Sequence, residues 1–446
     1  MRRLACVLAL GFSAFAVAQE IPSYEGEFLV ITKAPQRFPI AVPDFTVRSA
    51  LPEDHDAGRR LTELLRRDLD ASGVLAVVDP RAYLGAPATA AGEEDIGAWA
   101  LVGAEAMVRG VLVRSSGDRV LLELRLHDVA KAQMVLGKRY SGSEPDLQRM
   151  VHRFADEVME WLTGKRGSFE TWIAFVSDRT GRKEIYLMDS DGGNTLPVTQ
   201  NRTLNLAPEW WPASDIVVFT SYKARNPDLY ARNVLDGREW KISGRAGLNL
   251  GAAFRPDGKK IALTLSPREG NSDIYLMNPD GSDALQVTSS WAIDISPAFS
   301  PDGKYLALVS DRSGSPQIYL LDLSRGAEGT GNPPVRLTWE GEYNSSPAWS
   351  PDGRHLVYAG RRGGKFDLFV MDLGQGGSNK VRALTETAAN EEDPAWSPDG
   401  RFVAFASDKT GNYDIYVISV YGGGARQLTD WPSSETAPAW SGSLRR

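Results

Sequence analysis

The sequence predicts a multidomain fold: an N-terminal α/β domain over residues 19–164, then an all-β six-bladed β-propeller over 165–446 closed by the C-terminal strand. Three observations predict it. From residue 165 onward the chain holds 30 of its 43 Gly, 18 of its 26 Pro and 10 of its 12 Trp, a density of turn formers and large aromatics that excludes a mostly helical second part. Within that stretch a Pro-Ala-aromatic-Ser-Pro-Asp-Gly motif recurs at intervals of 44 to 50 residues. Both clear amphipathic helical patterns fall before residue 165.

The chain opens with Met1-Arg2-Arg3, an apolar run over 4–18 and the small-x-small triplet Ala16-Val17-Ala18. This is the anatomy of a secretory signal peptide cleaved after Ala18, and the run is short for a membrane span. Cys6 is the single cysteine, so no intramolecular disulfide is expected. Loss of the leader takes the formal net charge from −7 to −9. That balance argues against a nucleic-acid backbone as partner. No later stretch reaches the roughly 18 apolar residues of a spanning helix. An exported chain without a membrane span is expected.

In the N-terminal domain, strands are expected over 27–32 and 40–45. A helix over 54–72 puts Leu61, Leu64, Leu65 and Leu69 on one face and Arg59, Arg66, Arg67 and Asp70 toward water. Antiparallel strands follow over 106–114, 120–128 and 133–140, the first pair joined by a tight turn over 115–118. A second helix over 146–163 presents Leu147, Val151, Phe154, Val158 and Trp161, with Ser143 near its start and Gly164 as its stop. Residues 164–167 read as the linker.

The repeat then sets the blades. Its openings stand at Pro208, Ala252, Pro297, Pro347, Pro394 and Pro438, and an aromatic strand is marked by Tyr186, Tyr230, Tyr275, Tyr319, Phe369 and Tyr416. Six markers over 282 residues give 47 per unit, the size of four short strands. In Ser300-Pro301-Asp302-Gly303 the Pro presets φ, Asp bonds its own backbone and Gly takes the left-handed position. Residues 326–334 form an inserted loop. The first unit lacks an opening strand and the chain ends on one, over 437–441, so the last strand is expected to pair beside Trp172 and close the ring.

Counting three residues back from each opening gives Asn205, Asn249, Asp294, Asn344, Glu391 and Glu435. Every blade places an amide or a carboxylate there, and Leu248 and Ile295 add an apolar pair beside them. Two readings stand side by side: turn residues that bond their own backbone, or a ring at the channel mouth that binds a partner. On the second, Asp294, Glu391 and Glu435 favour a basic partner loop whose binding weakens as salt rises. A Ca²⁺ ion held by two or three of the six is a third reading, since ligand distances of about 2.3 to 2.6 Å exclude the whole ring at once. The aromatics Trp210, Phe254, Phe299, Trp349, Trp396 and Trp440 read as packing between blades.

The string from Arg149 through Val158, continuing to Gly164, Gly167-Ser168-Phe169 and Ile173-Ala174-Phe175, resembles the domain junction of the TolB family. Pro39 to Phe45 and the six Pro-Asp-Gly-type units are similar to the same family, so the resemblance covers nearly the whole mature chain. It implies a periplasmic, monomeric, non-catalytic component of the Tol-Pal system. A Pal-like outer-membrane lipoprotein would dock at the propeller mouth, and a TolA-like inner-membrane protein would engage an N-terminal arm over 19–27 that contains Ile21, Pro22 and Tyr24. No bound cofactor is implied. At Leu248 and Ile295 this chain departs from better-known members, some of which have polar or histidine side chains there. The alternative is an exported propeller of the same build that serves an unrelated receptor or transporter.

An enzyme reading finds little in the residues. The chain has no Gly-x-Ser-x-Gly and no His-Glu-x-x-His, and its four histidines, His55, His127, His152 and His355, are scattered.

Overall fold

The computed structural model describes residues 37–49, 51–83, 96–114, 119–266, 271–374 and 380–442. The signal segment, the arm with Ile21, Pro22 and Tyr24, the strand expected over 27–32 and the turn over 115–118 lie outside the described residues. No helix among the described residues is long and apolar enough to cross a membrane.

The N-terminal domain runs β1 (Phe38–Ala41), β2 (Thr46–Arg48), α1 (Pro52–Ala71), β3 (Leu75–Val77), β4 (Ala106–Arg114), β5 (Arg119–Asp128), β6 (Gln133–Ser143) and α2 (Leu147–Thr163). One mixed sheet has the order β3-β1-β4-β5-β6, with β2 also paired to β4. Its parallel pairs are β1 with β3 and β4, and β2 with β4; β4, β5 and β6 form an antiparallel meander. The apolar faces of α1 and α2 pack together on this sheet, with Leu65, Leu69, Val151, Phe154 and Val158 fully buried.

Three expectations need correction here. The strand expected over 40–45 is two strands, because Pro43 removes a donor and the chain crosses from one position on β4 to another. Arg66, expected in water, is buried, and its guanidinium donates to the Val42 carbonyl at 2.6 and 2.9 Å and to Asp44 at 2.9 Å. The crossing frees a carbonyl from the sheet ladder, and a multidentate donor from α1 satisfies it. Trp161 is 46% exposed because Leu162, not Trp161, carries the apolar face through the last turn of α2 and packs against the core. Gly164 stops that helix in the left-handed conformation, φ 70°, its N–H donating to Glu160 O. The linker is fastened rather than loose: the Asp156 carboxylate accepts the N–H groups of Phe169 and Glu170 at 2.7 and 2.9 Å.

Residues 172–440 form six four-stranded antiparallel sheets. Their first strands are Glu435–Trp440 in blade 1, then Asn205–Trp210, Leu248–Phe254, Asp294–Phe299, Tyr343–Trp349 and Glu391–Trp396 in blades 2 to 6. These strands contact one another in unbroken succession around the ring, so they are the innermost. Blade 1 is closed as expected: Glu435–Trp440 pairs antiparallel with Trp172–Ser177, with Thr436 opposite Val176 and Trp440 opposite Ile173. The insertion in blade 4 contains one short 3-10 turn, Glu328–Thr330, and no strand; another, Leu323–Arg325, leads into it.

Each inner strand starts before the repeat's opening position, by three residues in four blades and by four in blades 3 and 5, with a bulge at that opening. The residue before the opening adopts positive φ in all six: Ala207 48°, Gly251 66°, Ser296 53°, Ser346 50°, Asp393 52° and Ala437 50°. The bulge explains how Pro sits inside an innermost strand in five blades, since an interrupted ladder needs no donor there. Phe254, Phe299, Trp349 and Trp396 are buried between blades, and the indole N–H groups of Trp210, Trp349 and Trp396 donate to Ala439, Ala298 and Ala348 O of the preceding blade at 3.0 to 3.1 Å.

In such a sheet the turns after the first and third strands lie at one end and the remaining connections at the other. The first end meets the N-terminal domain. There Arg401 Nη2 donates to Thr163 Oγ1 at 2.9 Å, Asp399 N to Ser168 Oγ at 3.1 Å, and Arg67 pairs with Asp191 at 2.7 Å. Among the described residues, the hydrogen bonds and ion pairs between the two domains lie at this first end, and the other end is open.

Candidate functional site

At the open end, each blade's outermost strand leads through a loop into the next blade's innermost strand. The ring predicted from the sequence sits where those loops end, but inside the protein. Asn205, Asn249, Asp294, Asn344 and Glu435 are 0% exposed and Glu391 is 1% exposed. Asn205 Nδ2 donates to Glu184 Oε2 of the preceding blade at 2.9 Å, and Asn344 Nδ2 to Gln317 Oε1 of the preceding blade at 2.8 Å. Asn249 Oδ1 accepts Ser243 Oγ of the preceding blade at 2.6 Å. Glu435 accepts Ser177 Oγ at 2.7 Å, Glu391 accepts the Thr387 hydroxyl, and Asp294 is paired with Arg312 at 3.0 Å.

These partners correct the docking reading of the six side chains. The three amides find their partners on the preceding blade and so stitch blades together, whereas Asp294, Glu391 and Glu435 bond within their own blade or entry loop, with Glu391 Oε2 and Glu435 Oε2 buried without a hydrogen bond among the described residues. Outward of the ring, just after each outermost strand, Thr199, Thr288, Thr338, Thr385 and Thr429 accept at their hydroxyls from the backbone N–H groups of Ile185, Ile274, Ile318, Leu368 and Ile415 at 2.8 to 2.9 Å. Burial pushes the Asp294, Glu391 and Glu435 carboxyls above the usual range. The expectation that these three attract a basic loop therefore loses its basis: they are inaccessible, and Asp294 has its own guanidinium. The Ca²⁺ reading meets the same geometry, and among the described residues no three His, Cys, Asp or Glu are grouped to hold a metal ion.

What the open end presents is apolar and aromatic. Leu248 and Ile295 are half-buried beside the ring. Further out on the same loops, Trp291 is 77% exposed, Trp339 74%, Ile293 47% and Leu204 40%. Sequence reasoning missed these four. The available signal was position: Trp291 and Trp339 fall outside the repeat's aromatic sites, so no core packing accounts for them. The Arg336 guanidinium lies 4.5 Å from the Trp339 ring centre. Exposed charges on these connecting loops divide by side: Arg202 and Arg245 on the loops into blades 2 and 3, Glu340, Glu342, Glu386 and Asp430 on the loops into blades 5, 6 and 1. The two Trp side chains belong to the loops into blades 4 and 5, between the halves. Large aromatics flanked by charge of both signs are the composition of a protein-docking surface.

Glu209 breaks the repeat on the inner strands. Its position is Ala253, Ala298, Ala348, Ala395 and Ala439 in the other blades. Its Oε1 accepts the Trp210 N–H at 3.0 Å, and burial pushes its carboxyl up to about 7.

Comparison with known proteins matches both parts of the chain. A family model described as the TolB beta propeller domain matches residues 159–393, and one described as the TolB amino-terminal domain matches residues 29–135. The Tol-Pal system protein TolB of Desulfosudis oleivorans is 38% identical over 233 residues, 52% of this chain and 53% of that protein. The Tol-Pal system protein TolB of Syntrophotalea carbinolica is 40% identical over 155 residues, 34% of this chain and 36% of that protein. The chain thus spans about half the length of the first relative and just over a third of the second. Among solved structures, TolB from Acinetobacter baumannii superposes with a TM-score of 0.76 at 27% identity, over 92% of this chain and 98% of that one.

Proposed function

We propose, from the premise that this chain belongs to the TolB family, that it is a non-catalytic, periplasmic scaffold of the Tol-Pal system. In this reading a Pal-like outer-membrane lipoprotein docks on the open end of the propeller. A TolA-like inner-membrane protein engages the arm over 19–27, and the assembly supports envelope integrity and constriction during cell division. The observation that carries the docking half is the open end itself: it faces away from the N-terminal domain and exposes Trp291 and Trp339 at 77% and 74%. Buried aromatics are frequent anchors of protein interfaces, and truncating one costs about 2 kcal/mol or more at a hot spot.

The experiment is a pull-down from envelope extract with the mature protein, beside a version lacking residues 19–27. The expected result is capture of a peptidoglycan-associated lipoprotein by both, and of a TolA-like protein by the full-length form alone. Recovery of neither partner by the full-length form would favour service to another receptor or transporter.

A further inference from the structure

The contact between the two domains contains a buried charge cluster centred on a histidine. His152 on α2 is 3% exposed, and its Nδ1 lies 2.7 Å from Asp68 Oδ2 on α1. Its Nε2 lies 3.8 Å from Asp191 Oδ2, in the turn after the third strand of blade 1. Asp191 also pairs with Arg67 Nη2 at 2.7 Å, and its carbonyl accepts Arg426 Nη1 from the outer strand of blade 6 at 3.0 Å. The charged groups around the imidazole are therefore Arg67 and Asp68 on α1, Asp189 and Asp191 on blade 1, Arg426 on blade 6, Asp146 and Arg149 at the start of its own helix, and Glu170 after the linker, which is itself paired with Arg153. Cavities of about 190 and 160 Å³ adjoin the cluster.

A carboxylate faces each ring nitrogen, one from each domain. A neutral imidazole has one N–H and one lone pair, so it would meet one of the two carboxylates lone pair to lone pair. The imidazolium donates a hydrogen bond to Asp68 and, at 3.8 Å, makes an ion pair with Asp191 that is longer than a hydrogen bond. We propose that His152 is a charged tie between the domains, its imidazolium shared by Asp68 of the N-terminal domain and Asp191 of the propeller, so that domain docking depends on its proton. The inference rests on this geometry and is independent of which partners the protein binds.

The electrostatics point the same way. Burial pulls the imidazolium down, but Asp68, then Asp191 and Asp189, outweigh it and push His152 up to about 9. A raised folded-state value gives stabilisation that is complete below the ordinary histidine value of about 6.5 and is lost as pH rises through about 9.

The test uses the mature chain and two readouts: the NMR titration of the His152 ring, and amide exchange of residues 165–170 and 189–193, corrected for intrinsic rates, between pH 6 and 10. The expected wild-type result is a rise in corrected exchange of about tenfold as the ring loses its proton. Asp191→Asn leaves the Asp68 pair intact and should lower the His152 titration by about one unit, with the faster exchange already present at pH 7. Arg67→Gln removes the other partner of Asp191 and should keep the pH dependence. Because His152→Asn also disturbs α1–α2 packing, Asp191→Asn is the deciding variant. An unchanged His152 titration in Asp191→Asn, or interface exchange independent of pH from 6 to 10, overturns the proposal.

Discussion

At Asn344 the side-chain amide donates to Gln317 Oε1 of the preceding blade at 2.8 Å and to Glu340 O at 2.9 Å, with no exposed surface. Replacing it by Ala removes both bonds, leaving Gln317 Oε1 with the Thr338 hydroxyl alone and taking this donor from Glu340 O, which costs about 1 to 3 kcal/mol. Asn344→Ala should lower the melting temperature while leaving partner affinity of the folded protein unchanged; calorimetry and a binding titration on the same sample check both halves. Glu209 makes the opposite prediction. Its carboxyl is pushed up to about 7, so the folded state favours the protonated form and ionisation costs stability. The penalty is absent below the ordinary glutamate value, grows through pH 4.5 to 7 and is full above 7. Glu209→Ala should therefore stabilise by about 1 to 3 kcal/mol at pH 8, with the gain vanishing near pH 4. Denaturant melts at the two pH values measure this. The sequence made both residues visible, one as a ring member and the other as a break in a run of alanines. It did not show that the ring lies inside: an Asn at a strand start reads the same whether its amide meets a partner protein or a neighbouring blade.

The inner strands show where element boundaries were legible and where they were not. The repeat's Pro looked like a strand opening because proline is excluded from paired ladders. The bulge lifts that exclusion, and the strand begins three or four residues earlier in every blade. Arg66 and Trp161 failed for a related reason: helical periodicity says roughly which side faces the sheet, but not that a crossing loop needs a donor or that Leu162, the neighbour of Trp161, takes the core position in the last turn. Closure was legible, because one unit lacked an opening strand and the chain ended on one. Removing 435–446 leaves Trp172–Ser177 as an unpaired inner edge and takes the Ala439 acceptor from Trp210. That truncation should lower the melting temperature by at least about 10 °C, far beyond what the loss of a frayed end does; a shift of one or two degrees would argue against closure.

At the scale of the whole molecule, the topology gives the propeller two unlike ends. One is covered by the N-terminal domain and contains the His152 cluster; the other is open and lined by Trp291, Ile293, Trp339 and loop charges of both signs. Six blades and a separate α/β domain could be read from period and patterning, and the TolB resemblance followed from their combination. Which surface stays free depends on which turns meet the N-terminal domain, a long-range fact that no local pattern contains. The central claim is that the open end docks the Pal-like lipoprotein through its exposed aromatics. The direct measurement is calorimetric titration of the soluble domain of that lipoprotein into the mature protein and into the Trp291→Ala/Trp339→Ala double variant. Binding should weaken at least about tenfold in the variant, at unchanged melting temperature. Equal affinity in the two proteins would contradict that claim.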